Sequence, residues 1–423
     1  MSYRIAGIDV HKRMLAVVIA DVAADSEYQF ERRKVGTSPE QLRLLAEWLV
    51  EQAVEEVVME STAQYWKPVW QALEQYWKPA CEQREGGGRL HLAQAKSNRG
   101  PRGRKTDFAD AERLVKRLVA QELILSFVPD AEQRLWRTVT RRKQQLIRDR
   151  VRLQNQLEAL LEQAHIKLSS VVSDLLGVSG RRMLQALADG EGDAAVLAAL
   201  ADHRLRATQE QLRDVLGACV QLSPVYRRLL QMALEELKLL EQHLDQLDKE
   251  ISVLLNQHQE AVQRLAEVPG LGVDSAHQII AEIGAAAAVF PSAKNLSSWV
   301  GVCPGDEQSA AVSKSTRSPK GNRNLRRILN QAAHAAVKVK GSIFEVVFRR
   351  LKSGLKYQEA VWAIAHRLCR LIWKILHQGI RYEERGPAVS AKSKRNRTSK
   401  MIRELRALGY RVEPINPPLT NPA

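Results

Sequence analysis

Two aspartates stand three residues apart in the stretch KTDFADAER, at positions 107 and 110. A helical pattern follows, so both carboxylates lie where a helix begins. One interpretation is structural: Asp107 as the N-cap and Asp110 as the third helical residue resemble a capping box, and negative charge suits a helix N-terminus. The other interpretation is that the pair supplies half of a metal site. The pair alone does not decide between them.

Two further carboxylates occur in short apolar runs that predict buried strands. Asp9 lies inside AGIDVHK, and Glu60 ends the apolar run of EEVVMES. A bare carboxylate is costly there unless it is paired or bound to a metal. Four carboxylates on two strand ends and one helix start can converge at one edge of a sheet, where a divalent cation, Mg²⁺ or Mn²⁺, would offset their repulsion. The sequence therefore predicts a site for two-metal phosphoryl transfer. Its candidate ligands are Asp9, Glu60, Asp107 and Asp110.

The composition limits the classes of protein to which the chain can belong. Its 423 residues carry 64 Lys and Arg against 48 Asp and Glu, a net charge of +16. Such a charge favours a polyanionic partner, by default nucleic acid. The longest apolar run is far too short to cross a bilayer, and the N-terminus lacks the pattern of an export signal. The four cysteines form no CxxC pair, which argues against zinc and a disulfide framework. We expect a protein of the reducing cytoplasm.

The pattern of apolar residues changes along the chain and divides it into regions. Apolar runs at 4–10, 14–20 and 55–61 predict strands that, with helical patterns between them, form an α/β domain over residues 1–125. Over residues 126–258, heptad spacing from Val139 to Leu160 and a leucine repeat from Leu237 to Leu254 predict two long helices in a coiled-coil hairpin or dimer arm, with inserted helices between them. An ordinary helix bundle explains the periodicity equally well.

Two features of residues 259–384 indicate nucleic-acid binding. The segment VPGLGVDSAHQIIAEIG resembles a helix-hairpin-helix, in which Gly270 and Gly272 would let backbone N–H groups approach a phosphate. A tight helix connection without a ligand is the plainer alternative. Downstream, basic residues surround a helix start with Asn322 as the predicted N-cap, where an external anion would offset their charge. A solvated basic face is the plainer alternative. These residues are Lys314, Arg317, Lys320, Arg323, Arg326 and Arg327. Residues 385–423 predict a basic flexible tail.

The Gly- and Arg-rich loop SNRGPRGRK precedes Asp107 and is well placed to touch a nucleic-acid backbone. Lys12 and His11 beside Asp9 are interpreted as further phosphate contacts. We disfavour His11 as a metal ligand because the four carboxylates suffice. The basic residues of the loop are Arg99, Arg102, Arg104 and Lys105.

The order of the motifs carries a family resemblance. GIDVHK, MESTAQYW, GRKTDFADAERL, VPGLGVDSAHQIIAEIG and WVGVCPGDEQSAAVSKSTRSPKGNRNLRRIL follow one another in a pattern similar to the DEDD transposases of the insertion-sequence-110/1111 group, which includes the Piv-type DNA invertases. The resemblance implies an N-terminal RuvC-like (RNase H-type) domain, a coiled-coil region and a mostly α-helical C-terminal transposase domain. It also implies that the four candidate carboxylates are the DEDD set.

A nucleophilic serine is a further implication of the resemblance, and by its place after an (A/V)G(L/V)xP segment it is Ser309. A serine hydroxyl can attack a DNA phosphodiester and hold one end as a phosphoserine until rejoining. Ala310 stands where the family pattern has Gly, so Ser313, Ser315 and Ser318 remain alternatives.

The resemblance implies partners as well. Members act as homo-oligomers, dimers or tetramers, on the ends of their element and on target DNA, and the carboxylates of one protomer meet the serine of another. Members resembling this chain are guided by a structured non-coding bridge RNA that pairs with both DNAs, so the protein binds RNA shape and backbone while base pairing reads sequence.

Three functions remain open from the sequence. The first is an RNA-guided serine recombinase of an insertion sequence, working in the bacterial cytoplasm at the nucleoid. The second is a Piv-like invertase that reads DNA directly with the same residues. The third is a RuvC-like metal-dependent junction nuclease or a nucleic-acid binder without catalysis.

Overall fold

The structure, a computed structural model, divides the chain into two units, Met1–Pro129 and Asp130–Ala423. It describes residues 3–22, 28–61, 63–82, 87–95, 98, 106–305, 307–309, 312–315, 317–384 and 391–412. For residues 221, 307–309, 312–315 and 391–397 it describes the backbone alone. Among the described helices, none combines the length and apolar character needed to span a membrane.

A five-stranded mixed sheet forms the centre of the first unit. Its strands are β1 (Tyr3–Val10), β2 (Met14–Val22), β3 (Gln29–Gly36), β4 (Glu56–Glu60) and β5 (Arg89–Ala93). They lie in the order β3-β2-β1-β4-β5, with β2 antiparallel to β1 and β3, and β4 parallel to β1 and β5. The three predicted strands are confirmed. The sheet with its helices and the mostly helical remainder of the chain agree with the predicted α/β N-terminal domain followed by helices.

Helices cover both faces of the sheet. They are α1 (Pro39–Glu51), α2 (Trp66–Ala72), which continues into a π-helical turn (Leu73–Trp77), α3 (Lys78–Glu82) and α4 (Asp107–Val119). On one face, Ile8 and Leu15 pack in a core with Leu45 of α1 and Trp77. On the opposite face, Ile5, Val18 and Ala20 pack against Ala111 and Val115 of α4. Because side chains alternate along a strand, every second residue of β1 faces α4.

Gly7 in β1 allows α4 to lie close to the sheet. A Cβ atom built at Gly7 would stand 2.4 Å from the carbonyl oxygen of Ala111 and 2.8 Å from Cγ2 of Val115. Contacts below 3 Å require the backbone of α4 to shift, since a carbonyl oxygen cannot rotate away as a flexible side chain can. The missing side chain therefore sets the depth at which α4 packs.

The second unit begins with two long antiparallel helices. The helices before the C-terminal region are α5 (Ala131–Gln163), α6 (Val178–Asp189), α7 (Ala194–Ala199), α8 (Gln209–Leu216) and α9 (Pro224–Leu254), with short 3₁₀ turns at Leu168–Ser170, Gly217–Gln221 and Asn256–His258. Lys143 pairs with Asp248 and Arg150 with Glu241, so α5 and α9 run in opposite directions. The two predicted long helices are confirmed, and α6 to α8 share their leucine-rich core.

The C-terminal region is mostly helical. Its elements are α10 (Gln259–Ala266), α11 (Val273–Ile283), α12 (Ala293–Val300), β6 (Glu307–Ser309), β7 (Val312–Ser315), α13 (Arg323–Ala336), α14 (Ile343–Lys352), α15 (Tyr357–Gln378) and α16 (Ala391–Ala407). β6 and β7 form an antiparallel hairpin. The predicted N-cap is confirmed, because Asn322 Oδ1 accepts from the N–H groups of Asn324 and Leu325 at 3.0 Å each.

In residues 385–423, predicted as a basic tail with a short helical piece at MIRELRALGY, the structure describes one helix over residues 391–407, longer towards the N-terminus than that piece. Lys and Arg have good intrinsic helix propensity, so a segment rich in them is compatible with a helix. Lys400 Nζ also lies 3.9 Å from Glu404 Oε1, one helical turn further on.

Replacing Gly7 tests whether close packing of α4 stabilises the first unit. We expect Gly7→Ala to lower the free energy of unfolding by about 1–3 kcal/mol, the usual cost of overpacking. Gly36→Ala is the control, because a Cβ there would lie 3.4 Å from the flexible side chain of Gln41, and its effect should stay within about 0.5 kcal/mol. Denaturant unfolding measures both, and equal stabilities of the two variants would refute the close-packing argument.

Candidate metal centre and nucleic-acid contacts

Asp9 and Glu60 lie side by side at one edge of the sheet. Ile8 of β1 is paired in parallel with Met59 of β4, so the next residue on each strand continues the same register. Both carboxylates face α4, since each follows the strand alternation that points Val58 and Gly7 to that helix. The carboxyl ends of two parallel strands thus bring two acidic groups together, as predicted.

The first turn of α4 carries the other two carboxylates. The capping-box interpretation is wrong, because Thr106 is the N-cap: its backbone is extended and its hydroxyl accepts from the N–H of Ala109 at 3.4 Å. Asp107 is the first helical residue and Asp110 the fourth. Thr106 performs the capping, so the two aspartates are available for another role, and the positive end of the helix dipole favours their charge.

His11 joins this group at the turn after β1. Its Nε2 atom lies 3.1 Å from Asp9 Oδ2 and 3.3 Å from Asp107 Oδ1. One ligand atom from each of these three residues falls within a 4.8 Å cluster that could hold a metal ion. Four carboxylates made a histidine ligand unnecessary in the sequence, but the turn after β1 folds back towards α4 and brings His11 between Asp9 and Asp107.

Asn98 and Arg113 hold the remaining two carboxylates. Asn98, which is 1% exposed, donates from Nδ2 to Glu60 Oε2 at 2.7 Å. Arg113 donates from Nε to the carbonyl oxygen of Asn98 at 3.0 Å and also forms an ion pair with Asp110. Sequence reasoning missed both residues. Asn98 stands among glycines and arginines that suggested only a basic loop.

Burial and neighbouring like charges both disfavour the ionised form of Asp9. Its side chain is largely buried, which raises the pKa of Asp9 above its ordinary value; the nearby charges of Asp110, Glu60 and Asp107 raise it further, and His11 acts in the opposite direction. A divalent cation would offset both the burial and the repulsion. Oxygen donors with one imidazole nitrogen fit such an ion, so the cluster indicates a divalent metal.

Ser309 ends β6, and its hydroxyl lies outside the described part of the chain, as do the side chains of Ser313 and Ser315. Ser318 is described. Its Oγ accepts from the indole Nε1 of Trp362 at 2.7 Å, which gives this hydroxyl a structural partner.

Two of the predicted nucleic-acid-binding arginines make contacts inside the fold. Arg326 donates to the carbonyl oxygen of Pro319 at 3.0 Å, and its guanidinium carbon lies 4.6 Å from the centroid of the Trp362 ring. Arg327 is half-buried and donates to Gln278 Oε1 at 2.6 Å. Both side chains therefore support the start of α13.

The structure describes the side chains of only some of the other residues predicted to bind nucleic acid. Lys12, Arg317, Lys320 and Arg323 are exposed. The side chain of Lys314 lies outside the described residues, and so does the basic loop with Arg99, Arg102, Arg104 and Lys105.

The two glycines of the helix-hairpin-helix pattern have different surroundings. Gly270 has φ +87°, and a Cβ there would stand 2.3 Å from the carbonyl oxygen of Ala332 and 2.8 Å from the N atom of Ala336 in α13. Close helix packing therefore accounts for this glycine, as the plainer alternative expected. Gly272 is the N-cap of α11 and has open space around it.

Glu282 in α11 is a buried carboxylate that sequence reasoning did not single out. Arg141 of α5 donates to both its oxygens at 2.8 and 2.9 Å, and the amides of Asn322 and Asn324 donate at 2.8 and 2.9 Å. Burial alone would raise the pKa of Glu282, but the hydrogen bonds and charge of Arg141 outweigh it, and the pKa lies below its ordinary value. The ionised carboxylate ties α5 and α11 to the start of α13. An acidic residue inside the apolar run HQIIAEIG was the available signal.

Family comparisons match both units. A model of the DEDD transposases of IS110, described as a transposase, matches residues 6–166. A second model, described as transposase of the IS116/IS110/IS902 family, matches residues 262–347. The two matches together cover more than half of the chain.

Individual proteins match smaller parts. The insertion element IS110 uncharacterized 43.6 kDa protein of Streptomyces coelicolor is 27% identical over 143 residues, which are 34% of this chain and 35% of that relative. The chain thus aligns with about a third of the length of this curated relative. Thermus thermophilus RuvC, alone and in complex with a Holliday junction substrate, is 14% identical; each alignment covers 29% of this chain and 99% of that chain, with TM-scores of 0.23 and 0.21.

Removing one carboxylate tests the metal centre directly. We expect Asp9→Asn to weaken Mn²⁺ binding by more than the roughly 10- to 100-fold typical of losing an outer-shell partner, because Asp9 faces every other member of the cluster. Glu31→Gln is the matched control, since Glu31 of β3 pairs with Ile19 and faces away from α4. Titration of the full-length protein with Mn²⁺, followed by electron paramagnetic resonance, measures both. Unchanged Mn²⁺ affinity in Asp9→Asn would refute the assignment of a metal centre to this edge of the sheet.

Proposed function

Because the chain belongs to the IS110 family of DEDD transposases, we propose that it cuts and rejoins the DNA of an insertion sequence. The observation that carries this proposal is the convergence of four carboxylates on β1, β4 and α4, with His11 beside them. Such a cluster suits phosphoryl transfer, in which charge develops on the oxygens of the reacting phosphate.

The proposed metal ligands are the DEDD set with His11 as an additional donor. Asp9 and Asp107 share His11, whereas Glu60 and Asp110 are oriented by Asn98 and Arg113. A bound Mg²⁺ or Mn²⁺ would supply Lewis-acid stabilisation of the attacking and leaving oxygens. The residues themselves fix the ligand positions, and the positive end of α4 adds to the local potential.

The proposed nucleophile is the hydroxyl of Ser309. Its oxygen forms a bond to the phosphorus of the DNA backbone while the bond from that phosphorus to one strand oxygen breaks. The hydroxyl proton passes to a neighbouring base, and the leaving strand oxygen takes up a proton. Attack by a strand hydroxyl on the phosphoserine reverses the step and rejoins the DNA. Ser313 and Ser315 remain alternatives, and Ser318 is the weakest because Trp362 already bonds to it.

The proposed partners are element ends, target DNA, a guide RNA and further copies of the chain. The net charge of +16 supports a nucleic-acid partner. Arg326 and Arg327 remain proposed backbone contacts, and each also has a hydrogen-bond partner inside the protein. The other proposed contacts are Lys12, Arg99, Arg102, Arg104, Lys105, Gly272, Lys314, Arg317, Lys320 and Arg323.

Strand exchange with single substitutions tests the proposed chemistry. We expect Asp9→Asn and Ser309→Ala each to reduce recombination of a plasmid carrying the native element by about 10³-fold or more, because members of one catalytic group fail together. Ser353→Ala is the control and should recombine normally, because this exposed serine at the C-terminal end of α14 is not a candidate nucleophile. Ser309→Ala should also lose the covalent protein–DNA product seen on denaturing gels. Recombination by Ser309→Ala would exclude this serine, and strand cutting without any covalent product would favour a hydrolytic nuclease.

The guide RNA requires a separate measurement. We expect the protein, expressed with a few hundred bases of its native flanking DNA, to purify with one discrete RNA whose loops are complementary to the element junction and to the insertion site. Sequencing of the bound RNA decides this. The same expression with the flank replaced by unrelated DNA is the control. Absence of a defined RNA, together with tight binding of one duplex, would favour direct reading of DNA as in an invertase.

A further inference from the structure

A ladder of side-chain contacts joins β3 to α4 on the face that carries the metal centre. Alternate residues of β3 meet successive turns of α4. Lys116 Nζ lies 5.5 Å from the ring centroid of Phe30, and Arg32 forms an ion pair with Glu112 at 2.7 Å. The next rung is Lys34, whose Nζ lies 5.9 Å from the ring centroid of Phe108. Phe108 directly follows Asp107, so this rung is the one nearest to the carboxylates.

The register of the sheet places Lys34 in one row with Asp9. Asp9 pairs with Ala16, and Ala16 pairs with Lys34. Side chains in such a row point to the same face, and neighbouring strands lie about 4.8 Å apart, so the Cα atoms of Lys34 and Asp9 are roughly 10 Å apart. A lysine side chain is long enough to bring its ammonium group beside the carboxylate cluster.

Lys34 and its neighbour Arg32 differ in their ion pairing. Arg32 is paired with Glu112, whereas Lys34 is exposed and has no carboxylate partner among the ion pairs of the described residues. The plainer alternative is a solvated lysine whose stem packs on an aromatic ring. Its place in the row of a metal centre for phosphoryl transfer argues against that alternative, because the substrate brings phosphates to this edge.

Two further basic side chains lie near Lys34 on the same side of the metal centre. Lys12 and Arg13 form the exposed turn between β1 and β2, and the hydroxyl of Thr37 donates to the carbonyl oxygen of Lys12 at 3.0 Å. This bond fastens the turn to the end of β3. The basic margin, defined as Lys12, Arg13 and Lys34, therefore borders the carboxylates on the β3 side.

We propose that Lys34 binds a backbone phosphate of the DNA strand whose reacting phosphate lies at the carboxylates. The strand then leaves the metal centre across β2 towards β3, and Lys34 contacts a phosphate next to the reacting one. An ammonium group serves as a point charge for phosphate, and the contact to Phe108 limits its motion. This inference rests on the proposed function and adds to it the direction in which the strand runs.

The test compares two substitutions on adjacent residues of one strand. Lys34→Gln removes the proposed contact, and Arg33→Gln removes the same charge from the opposite face, where Arg33 lies 4.9 Å from the ring centroid of Trp48. The probe is a 30-nucleotide mixed-sequence DNA, single-stranded and as a duplex. Affinity for the full-length protein is measured from low to moderate salt without divalent ions, so that no strand is cut.

We expect Lys34→Gln to lower the slope of log affinity against log salt by about 0.7 for the single strand or about 0.9 for the duplex, the loss of one phosphate contact. Arg33→Gln should keep the parent slope, and Lys34→Arg should restore it. Thermal unfolding of all variants tests for a purely structural role. If Lys34 only stabilised the packing of β3 on α4, its substitution would lower the stability of the protein and leave the salt slope unchanged.

Equal slopes for Lys34→Gln and Arg33→Gln would overturn the inference, and so would a change seen with RNA of the same sequence but not with DNA. Failure of the proposed function would show differently. In that case the parent protein would not recombine DNA, whatever the slopes of the two variants.

Discussion

Mutual repulsion among carboxylates is the constraint around which the first unit is built. Asp9 is largely buried, and three other acidic groups raise its pKa further, so the site costs folding free energy wherever a cation does not offset it. The scaffold must supply that free energy elsewhere. It does so through two apolar layers, one on each face of the sheet, and through the close seat of α4 above Gly7. The close packing of α4 on Gly7 also fixes the positions of Asp107 and Asp110 in its first turn. A change in the packing of α4 would therefore move two of the proposed metal ligands.

The parts of the fold that were predictable from sequence are those whose pattern is local. β1, β2 and β4 have continuous apolar runs because they are buried on both faces, and their boundaries were predicted to within a few residues. β3 was not predicted because five of the eight residues in QFERRKVG are polar or charged. As an edge strand it needs only one pairing partner, and its charged side chains lie in solvent, against α4 or, for Arg33, over the Trp48 ring of α1. The position of β3 beside the metal centre depends on how it pairs with β2 and how β2 pairs with β1. The sequence of one strand does not reveal which residues of its neighbours it pairs with.

The candidate site divides in the same way. A carboxylate inside an apolar run is a strong signal, and Asp9 and Glu60 were found by it. His11, Asn98 and Arg113 were not, because their roles depend on how a turn and a loop fold back on the sheet. The cap of α4 shows a related error: a helix start rich in polar residues offers several possible N-caps, and only the backbone dihedrals of Thr106 distinguish among them.

The basic residues at the start of α13 have partners inside the protein that their sequence pattern does not reveal. A helix N-terminus repels cations, so arginines at the start of α13 suggested an external anion. Arg326 and Arg327 instead find carbonyl, amide and aromatic partners, and the buried Glu282 supplies negative charge from beneath through Asn322 and Asn324. The exposed side chains of Lys320 and Arg323 near the start of α13 remain candidates for binding a nucleic-acid backbone. Basic residues with partners inside the protein hold this segment in place, and the exposed basic side chains beside them are the better candidates for that contact.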